Sequence, residues 1–222
     1  MYKFTKMSQL NEHIFQLRED FMKGTLSEDS ISKSPPLVFE NWMKEAIQAK
    51  VNEVQAFHLG TVSLDNKPSG RIVYLREFID NHYYFYTNYE SRKALDISAN
   101  NNACLTFFWP ELERQIRMEG TIDFAGKDKS DAYFRSRPRE SKIGAWSSPQ
   151  SKVIESRETL NDFVNANTAK FDNQEIPRPD TWGGYVFTAT YYEFWQGRKS
   201  RLHDRISFSR HDDAWKIERL AP

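Results

Sequence analysis

The period of the apolar residues switches near residue 50, and helical spacing returns only in segments between later strands. Up to about residue 50 apolar residues recur at helical spacing. HIFQLREDF and VFENWMKEAIQA carry that pattern, with Val38, Trp42 and Ala46 four apart on one face. SKSPP between them reads as a stop, and LSEDSISKSPP as a candidate mobile segment. From Gln55 the period is two. QAFHLGTVSL, RIVYLREFI, HYYFYTN, ACLTFFW and ERQIRMEGTIDFAG read as strands rich in β-branched and aromatic residues, with DNKPSG as a turn. ESRKALDISANN, KDKSDAYFRSRP and ESRETLNDFVNANTAKF read as helices, the second ended by Pro138 and the third with Leu160, Phe163, Val164 and Phe171 at helical spacing. IPRPDTWGG is a loop, YVFTATYYEFWQG a strand, and RLHDRISFSR with AWKIERLAP a hairpin turning on HDD. The pattern predicts about seven strands, mostly consecutive, and four or five helices, with no βαβ alternation. The expected fold is mainly β (α+β): one domain over residues 1–222, a closed or half-closed antiparallel barrel with helices outside. Residues 1–50 form its helical start and 175–222 its final strands.

Charge narrows the partners. Lys and Arg number 31, as do Asp and Glu, so no global field draws the chain to nucleic acid or to an anionic membrane. An anion site must be local. The opening MYKFTKMSQLNEHIF lacks the apolar run of a signal peptide, and no stretch of about 18 apolar residues exists to span a bilayer. The single cysteine, Cys104 in ACLTFFW, excludes an internal disulfide and reads as a buried structural thiol. These features predict a cytoplasmic protein. His13, His58, His82, His203 and His211 show no metal-ligand spacing, so no metal is expected.

Four basic clusters remain. In SGRIVYLR, Arg71 and Arg76 are five apart, hence on opposite faces of one strand unless a bulge intervenes. In TNYESRKA, Ser91, Arg92 and Lys93 open a helix whose free N–H groups suit a phosphate, although cations are otherwise unfavourable at that end. In AYFRSRPRES, Tyr133 and Arg137 are i and i+4 on a helix and with Ser141 make a phosphate clamp. FWQGRKSRLHDR is the fourth. Read as a strand, it places Arg201, His203 and Arg205 on one face and Leu202, Asp204 and Ile206 on the other. That row suits either a guarded sheet edge or a flat, anionic, aromatic ligand. With no glycine-rich nucleotide loop, no Gly-x-Ser-x-Gly elbow and no nucleophile–base pair, the chain fits a protein whose chemistry comes from a cofactor.

RIVYLR, FYTNYESRKA, LERQI, YFRSRPRESKIGAW, SPQS, WGGY, FWQG, RLHDR and WKIERLAP, in this order from about residue 14 onward, resemble the pyridoxamine 5′-phosphate oxidase family. The resemblance implies an FMN-binding split antiparallel β-barrel with flanking helices, working as a homodimer with FMN at the interface. It implies oxidation of pyridoxamine or pyridoxine 5′-phosphate to pyridoxal 5′-phosphate, with O2 reduced to H2O2. The FMN site would fall on Arg71, Ile72, Val73, Tyr74, Leu75 and Arg76, Tyr86 and Thr87, Arg92 and Lys93, Gln115, Gln150 and Ser151, Trp195 and Arg205. The substrate phosphate would meet Arg76, Tyr133, Arg137 and Ser141, and the pyridine side Arg201, Leu202 and His203, with Arg201 and His203 catalytic. Arg18 to Phe21 would correspond to a segment that folds over the site. Asp204 is left to a structural ion pair. Arg76 stands where the family usually has lysine, and Phe21 where it usually has tyrosine. A flavin reductase using a nicotinamide, or a non-catalytic carrier of pyridoxal 5′-phosphate or FMN, are the competing readings.

Overall fold

A computed structural model describes Ile14 and residues 20–222. The helix expected at HIFQLREDF lies outside them, apart from Ile14, Asp20 and Phe21. The first described helix, α1 (Pro35–Gln48), begins on the two prolines. Proline is tolerated in a helix's first turn, where the N–H groups lack partners anyway. SKSPP is therefore a helix start as well as a break. Val38, Phe39, Trp42 and Ala46 form the buried stripe of α1.

Nine strands follow: β1 (Ala56–Val62), β2 (Pro68–Tyr74), β3 (Glu77–Ile79), β4 (His82–Asn88), β5 (Asn102–Trp109), β6 (Arg114–Phe124), β7 (Trp182–Gln196), β8 (Asp204–His211) and β9 (Ala214–Arg219). Between them lie α2 (Arg92–Ala99), α3 (Lys127–Ser136), α4 (Arg139–Ser147) and α5 (Arg157–Lys170). The sheet runs β2-β1-β5-β6-β7-β4-β3, with β8 on β7 and β9 on β8, and the pairings are antiparallel. β7 is the spine. It pairs β6 along one edge, β4 along its first half and β8 along its second. The changeover coincides with a bulge at Glu119/Gly120, where a Cβ on Gly120 would lie 2.0 Å from the Thr188 carbonyl. The sheet curls into a split barrel filled by Phe57, Phe85, Phe107, Phe187, Phe194 and their neighbours. A smaller cluster of Phe134, Ile143, Phe171, Ile176 and Trp182 joins α3, α4 and α5 to the mouth of β7.

Several expectations need correction. RIVYLREFI is two strands, not one. Leu75 N–H donates to Gln55 O and Arg76 N–H to Tyr84 O, so the chain passes from β1's side to β4's between these two residues. Arg71 and Arg76 thus belong to different strands, and the five-residue alternation does not relate them. PSG of DNKPSG and WGG of IPRPDTWGG are strand, not turn or loop. α4 was not expected. Cys104 is half-buried, not buried. The Arg201–His203–Arg205 row fails as a strand face: Lys199–Arg201 is a 3₁₀ turn with left-handed Ser200 and Arg201, and β8 starts only at Asp204. Among the described residues no helix is long and apolar enough to cross a membrane.

Candidate active site

α2 opens at Ser91, directly after β4, and its first turn holds no acid. Lys93 turns back toward β4. Its Nζ donates to Thr87 Oγ1 (3.1 Å), Ser91 Oγ (3.3 Å) and Gln150 Oε1 (3.0 Å). All three partners are neutral, and no carboxylate among the described residues pairs with it. Burial, helped by the nearby Arg71 charge, pulls its pKa from 10.5 down to about 8. A half-buried cation without a counterion is what an anion pocket looks like before the anion arrives. Arg71, on β2, lies on the same side and is likewise pulled down by burial, with Asp96 opposing and Arg92 adding to the effect.

A second cationic pocket adjoins the first. Arg76, Tyr86, Thr87, Tyr133, Arg137, Ser141, Gln150 and Trp182 line a cavity of about 380 Å³. Thr87 Oγ1 donates to Gln150 Oε1 (2.8 Å), and this pair, which also receives Lys93, forms a wall common to both pockets. Tyr86 and Tyr133 stack at 3.8 Å, with Trp182 parallel to both. Burial, then the Glu77 charge, pushes the Tyr86 phenol up to about 12, so it stays neutral. Arg137 is not on the helix with Tyr133, as the i, i+4 reading assumed. It is the extended residue after α3, and its guanidinium lies 4.5 Å from the Trp182 ring. Its Nη1 is buried with no hydrogen-bond partner among the described residues. Such an atom carries a large desolvation cost unless a ligand meets it. Burial lowers the Arg137 pKa, as does Arg76, while Tyr133 raises it. Arg76 rests 5.1 Å from the Tyr74 ring. Ser151, next to Gln150, is exposed and left-handed (φ 69°). Ile72 is exposed, while Val73 and Leu75 pack on the core.

The remaining expected residues gather elsewhere. Gln115, Trp195 and Arg205 are direct cross-strand neighbours on β6, β7 and β8. His203 lies against Trp195 (4.6 Å) and Phe21 (5.4 Å), and Arg201 stands 5.9 Å from the Phe21 ring. Leu202 is exposed. His203 Nδ1 accepts the Arg198 N–H (3.1 Å), so a neutral ring carries its proton on Nε2. Burial, then Arg201, lowers the His203 pKa and favours that neutral form. Arg205 Nε donates to Glu193 (2.9 Å) and Nη1 to Ala221 O (2.7 Å). Glu193 is 3% exposed and also receives Arg117 (2.8 Å). Asp204 holds Arg198 and Arg219 and accepts Leu26 N–H, an ion-pair role as expected. No hydrogen bond, ion pair or ring contact among the described residues joins this group to the two pockets. Arg18 lies outside the described residues.

Sequence reasoning missed three participants. Glu113 accepts the N–H groups of Met22 (2.7 Å) and Lys23 (2.8 Å), pinning the segment that carries Phe21. Gly197 leaves room for that ring, since a Cβ there would lie 2.7 Å from Phe21 Cγ. Glu193 fixes Arg205. Glu113 and Gly197 lie inside LERQI and FWQG, but only the chain fold brings all three to their partners, so the motifs do not show what they do.

Fold and site define a split-barrel protein with paired cationic pockets, and comparison with known proteins makes the class specific. Residues 43–165 match the family model described as pyridoxamine 5′-phosphate oxidase. Residues 182–222 match the pyridoxine 5′-phosphate oxidase C-terminal dimerisation region. A pyridoxine/pyridoxamine 5′-phosphate oxidase of Salinibacter ruber is 46% identical over 209 residues, 93% of this chain and 97% of the relative. One of Leptospira interrogans is 44% identical over 214 residues, 96% of this chain and 100% of the relative. The crystal structure of PhzG from Burkholderia lata, in complex with tetrahydrophenazine-1-carboxylic acid, superposes with TM-score 0.84 at 26% identity, covering 89% of this chain and 98% of that one. A pyridoxamine 5′-phosphate oxidase-related, FMN binding protein of Nostoc punctiforme shares the fold (TM-score 0.67, 17% identity, 86% and 100% covered). The chain belongs to the pyridoxamine 5′-phosphate oxidase family of enzymes.

Proposed function

We propose that this chain oxidises pyridoxamine 5′-phosphate and pyridoxine 5′-phosphate to pyridoxal 5′-phosphate, using FMN and reducing O2 to H2O2, as a cytoplasmic homodimer. The observation that carries this is the pair of adjoining cationic pockets. In the first, Lys93 has no carboxylate partner among the described residues and Arg71 meets only Asp96 at 3.8 Å; in the second, Arg137 Nη1 has no hydrogen-bond partner among them. A phosphorylated cofactor and a phosphorylated substrate require two such pockets side by side. One continuous sheet from β2 to β9 supports treating residues 1–222 as one working unit.

Bound FMN supplies the hydride acceptor and the reaction with O2. The protein's share is binding and orientation. Arg71, Arg92 and Lys93 hold the FMN phosphate, with Tyr86, Thr87, Gln150 and Ser151 around it and residues 72–76 along its edge. Arg76, Tyr133, Arg137 and Ser141 hold the substrate phosphate. Arg76 is fork-shaped where the family has a lysine, and its rest on Tyr74 keeps it in the pocket wall. Gln115, Trp195 and Arg205 come from the second copy and face the flavin ring. Arg201, Leu202 and His203 flank the pyridine. His203 Nε2–H donates to the substrate's oxygen or amine. With Nδ1 already engaged, the ring acts as a donor that orients the reacting carbon, not as the proton acceptor. Phe21, pressed on Trp195 and His203, excludes water by packing, which needs no hydroxyl.

The test is direct. Purified protein loaded with FMN is given pyridoxine 5′-phosphate in air while pyridoxal 5′-phosphate absorbance and peroxide are followed. Equal amounts of both are expected. A flavin-loaded protein inert toward both the alcohol and the amine substrate would refute the proposal.

A further inference from the structure

Arg71 is held by a relay that the expected site residues do not include. Its Nη1 donates to Leu59 O (3.1 Å) and Thr61 Oγ1 (2.7 Å), and its Nη2 to Ser69 Oγ (2.6 Å). A guanidinium has five N–H donors. These bonds use three, and Nε–H with the second Nη2 hydrogen remain along one edge. That edge matches two oxygens of a phosphate.

Each hydroxyl in the relay has a single proton. Thr61 sends its proton to Asp96 Oδ2 (2.8 Å), and Ser69 sends its own to the same oxygen (2.9 Å). Both hydroxyl oxygens therefore turn lone pairs toward Arg71. They also lie 3.2 Å from each other. Without an acceptor at Asp96 one hydroxyl would donate to the other, or turn its proton toward the guanidinium, and the seat for Arg71 would be lost. Asp96 is 6% exposed and sits on α2, one turn after Lys93. It lies 3.8 Å from Nη2, a long ion pair, so beside that direct attraction it acts through the two short hydroxyl bonds.

We infer that Asp96 is a positioning residue for phosphate recognition: through Thr61 and Ser69 it fixes Arg71 with one donor edge presented to the FMN phosphate. This rests on the proposed FMN reading. α2 then serves the phosphate twice, by contact through Lys93 and at one remove through Asp96.

The test compares FMN with riboflavin, which lacks the phosphate, by quenching of flavin fluorescence on apoprotein. Wild type is expected to prefer FMN strongly. Asp96→Ala should weaken FMN about tenfold or more, the scale of a hydrogen bond to a charged group, and leave riboflavin within about twofold. Asp96→Asn, whose carbonyl accepts both hydroxyl protons, should restore FMN to within about threefold of wild type. In an Arg71→Ala background, Asp96→Ala should add nothing. If Asp96→Ala does not fold, Thr61→Val with Ser69→Ala breaks the same relay from the other side and should show the same selective loss. The inference is overturned if FMN and riboflavin weaken together, if Asn behaves as Ala, or if the loss persists without Arg71. Wild type that binds the two flavins equally would instead defeat the FMN reading of the pocket, and the inference with it.

Discussion

Lys93 gives the sharpest pH prediction. Burial, with Arg71, brings its pKa to about 8, and its neighbours are neutral acceptors. A phosphate that binds beside it holds the proton on. Below about pH 7 the apoprotein already carries that proton, and the flavin phosphate, whose second ionisation lies near about 6, is a dianion above pH 7. Above pH 8 binding must take up one proton, so FMN affinity should fall by up to tenfold per pH unit, about fifteenfold between pH 8 and 9.5. Riboflavin, with no phosphate, should show no such fall. Lys93→Arg, which stays charged throughout, should flatten the FMN profile. Stability follows the same proton with its own sign. The folded pKa lies below the unfolded value of 10.5, so this contribution is fully present above 10.5 and is lost as pH falls through about 8. Fluorescence titration of apoprotein with both flavins from pH 7 to 9.5 is the assay. A flat wild-type FMN profile, or an equal slope for riboflavin, would refute the placement of Lys93 on the phosphate.

Glu193 is 3% exposed and holds both Arg117 and Arg205. Glu193→Leu should cost about 2 kcal/mol in denaturant unfolding, because Arg205 loses its carboxylate while Arg117 keeps Glu119 (2.7 Å), and a loss under about 0.5 kcal/mol would mean water replaces the carboxylate freely. Burial pushes the Glu193 pKa up, but the bonds from Arg205 and Arg117 outweigh it and hold it low. Its stabilisation is thus present above the ordinary glutamate range and is lost as pH falls through the lowered value. Gly197→Ala should displace Phe21 and raise KM for substrate. Phe21→Ala in the same chain should relieve the clash, and an unchanged KM in the single variant would show that the ring does not pack there during turnover. Because the His203 pKa lies below 6.5, kcat should hold its neutral-pH value down past 6.5 before falling, and a fall centred above 6.5 would contradict the neutral-donor role.

Much of the barrel was legible because strands in a curled sheet keep one face buried. Phe57 and Leu59, or Phe107 and Trp109, alternate with more open neighbours, and period two is visible without tertiary knowledge. The junction at Leu75–Arg76 was not legible. Its β propensity is unbroken, and only the change of hydrogen-bond partner from Gln55 to Tyr84 ends one strand and begins another. α4 escaped because it buries only Ile143 and Ser147, and its Ser and Gly residues weaken the helical signal. RLHDR misled for the opposite reason. Its alternation is strand-like, yet Ser200 and Arg201 turn left-handed, and His203 reaches Trp195 from a loop. The residue types of the two anion pockets were readable from the basic clusters. That Lys93 lacks a counterion and Arg137 Nη1 a partner was not, since both are facts of burial.

The arrangement of the two groups makes a further demand. Arg71 is on β2 and Arg205 on β8, with β1, β5, β6 and β7 between them. Five strand spacings amount to about 24 Å along the sheet. In the proposed dimer one flavin touches Arg71 of one copy and Arg205 of the other. Arg71→Ala and Arg205→Ala homodimers should each be nearly inactive, because each lacks one contact in both sites. A mixed dimer is different. One of its sites takes both damaged arginines and the other takes both intact ones. When the two variants are unfolded, mixed in equal amounts and refolded with FMN, half the dimers should be mixed, and about a quarter of all sites should be whole. Activity near about a quarter of wild type, at the wild-type KM, is the expected result. Activity no higher than that of the parents, with mixed dimers shown to have formed, would place both arginines in a single-protomer site and defeat the shared-site reading.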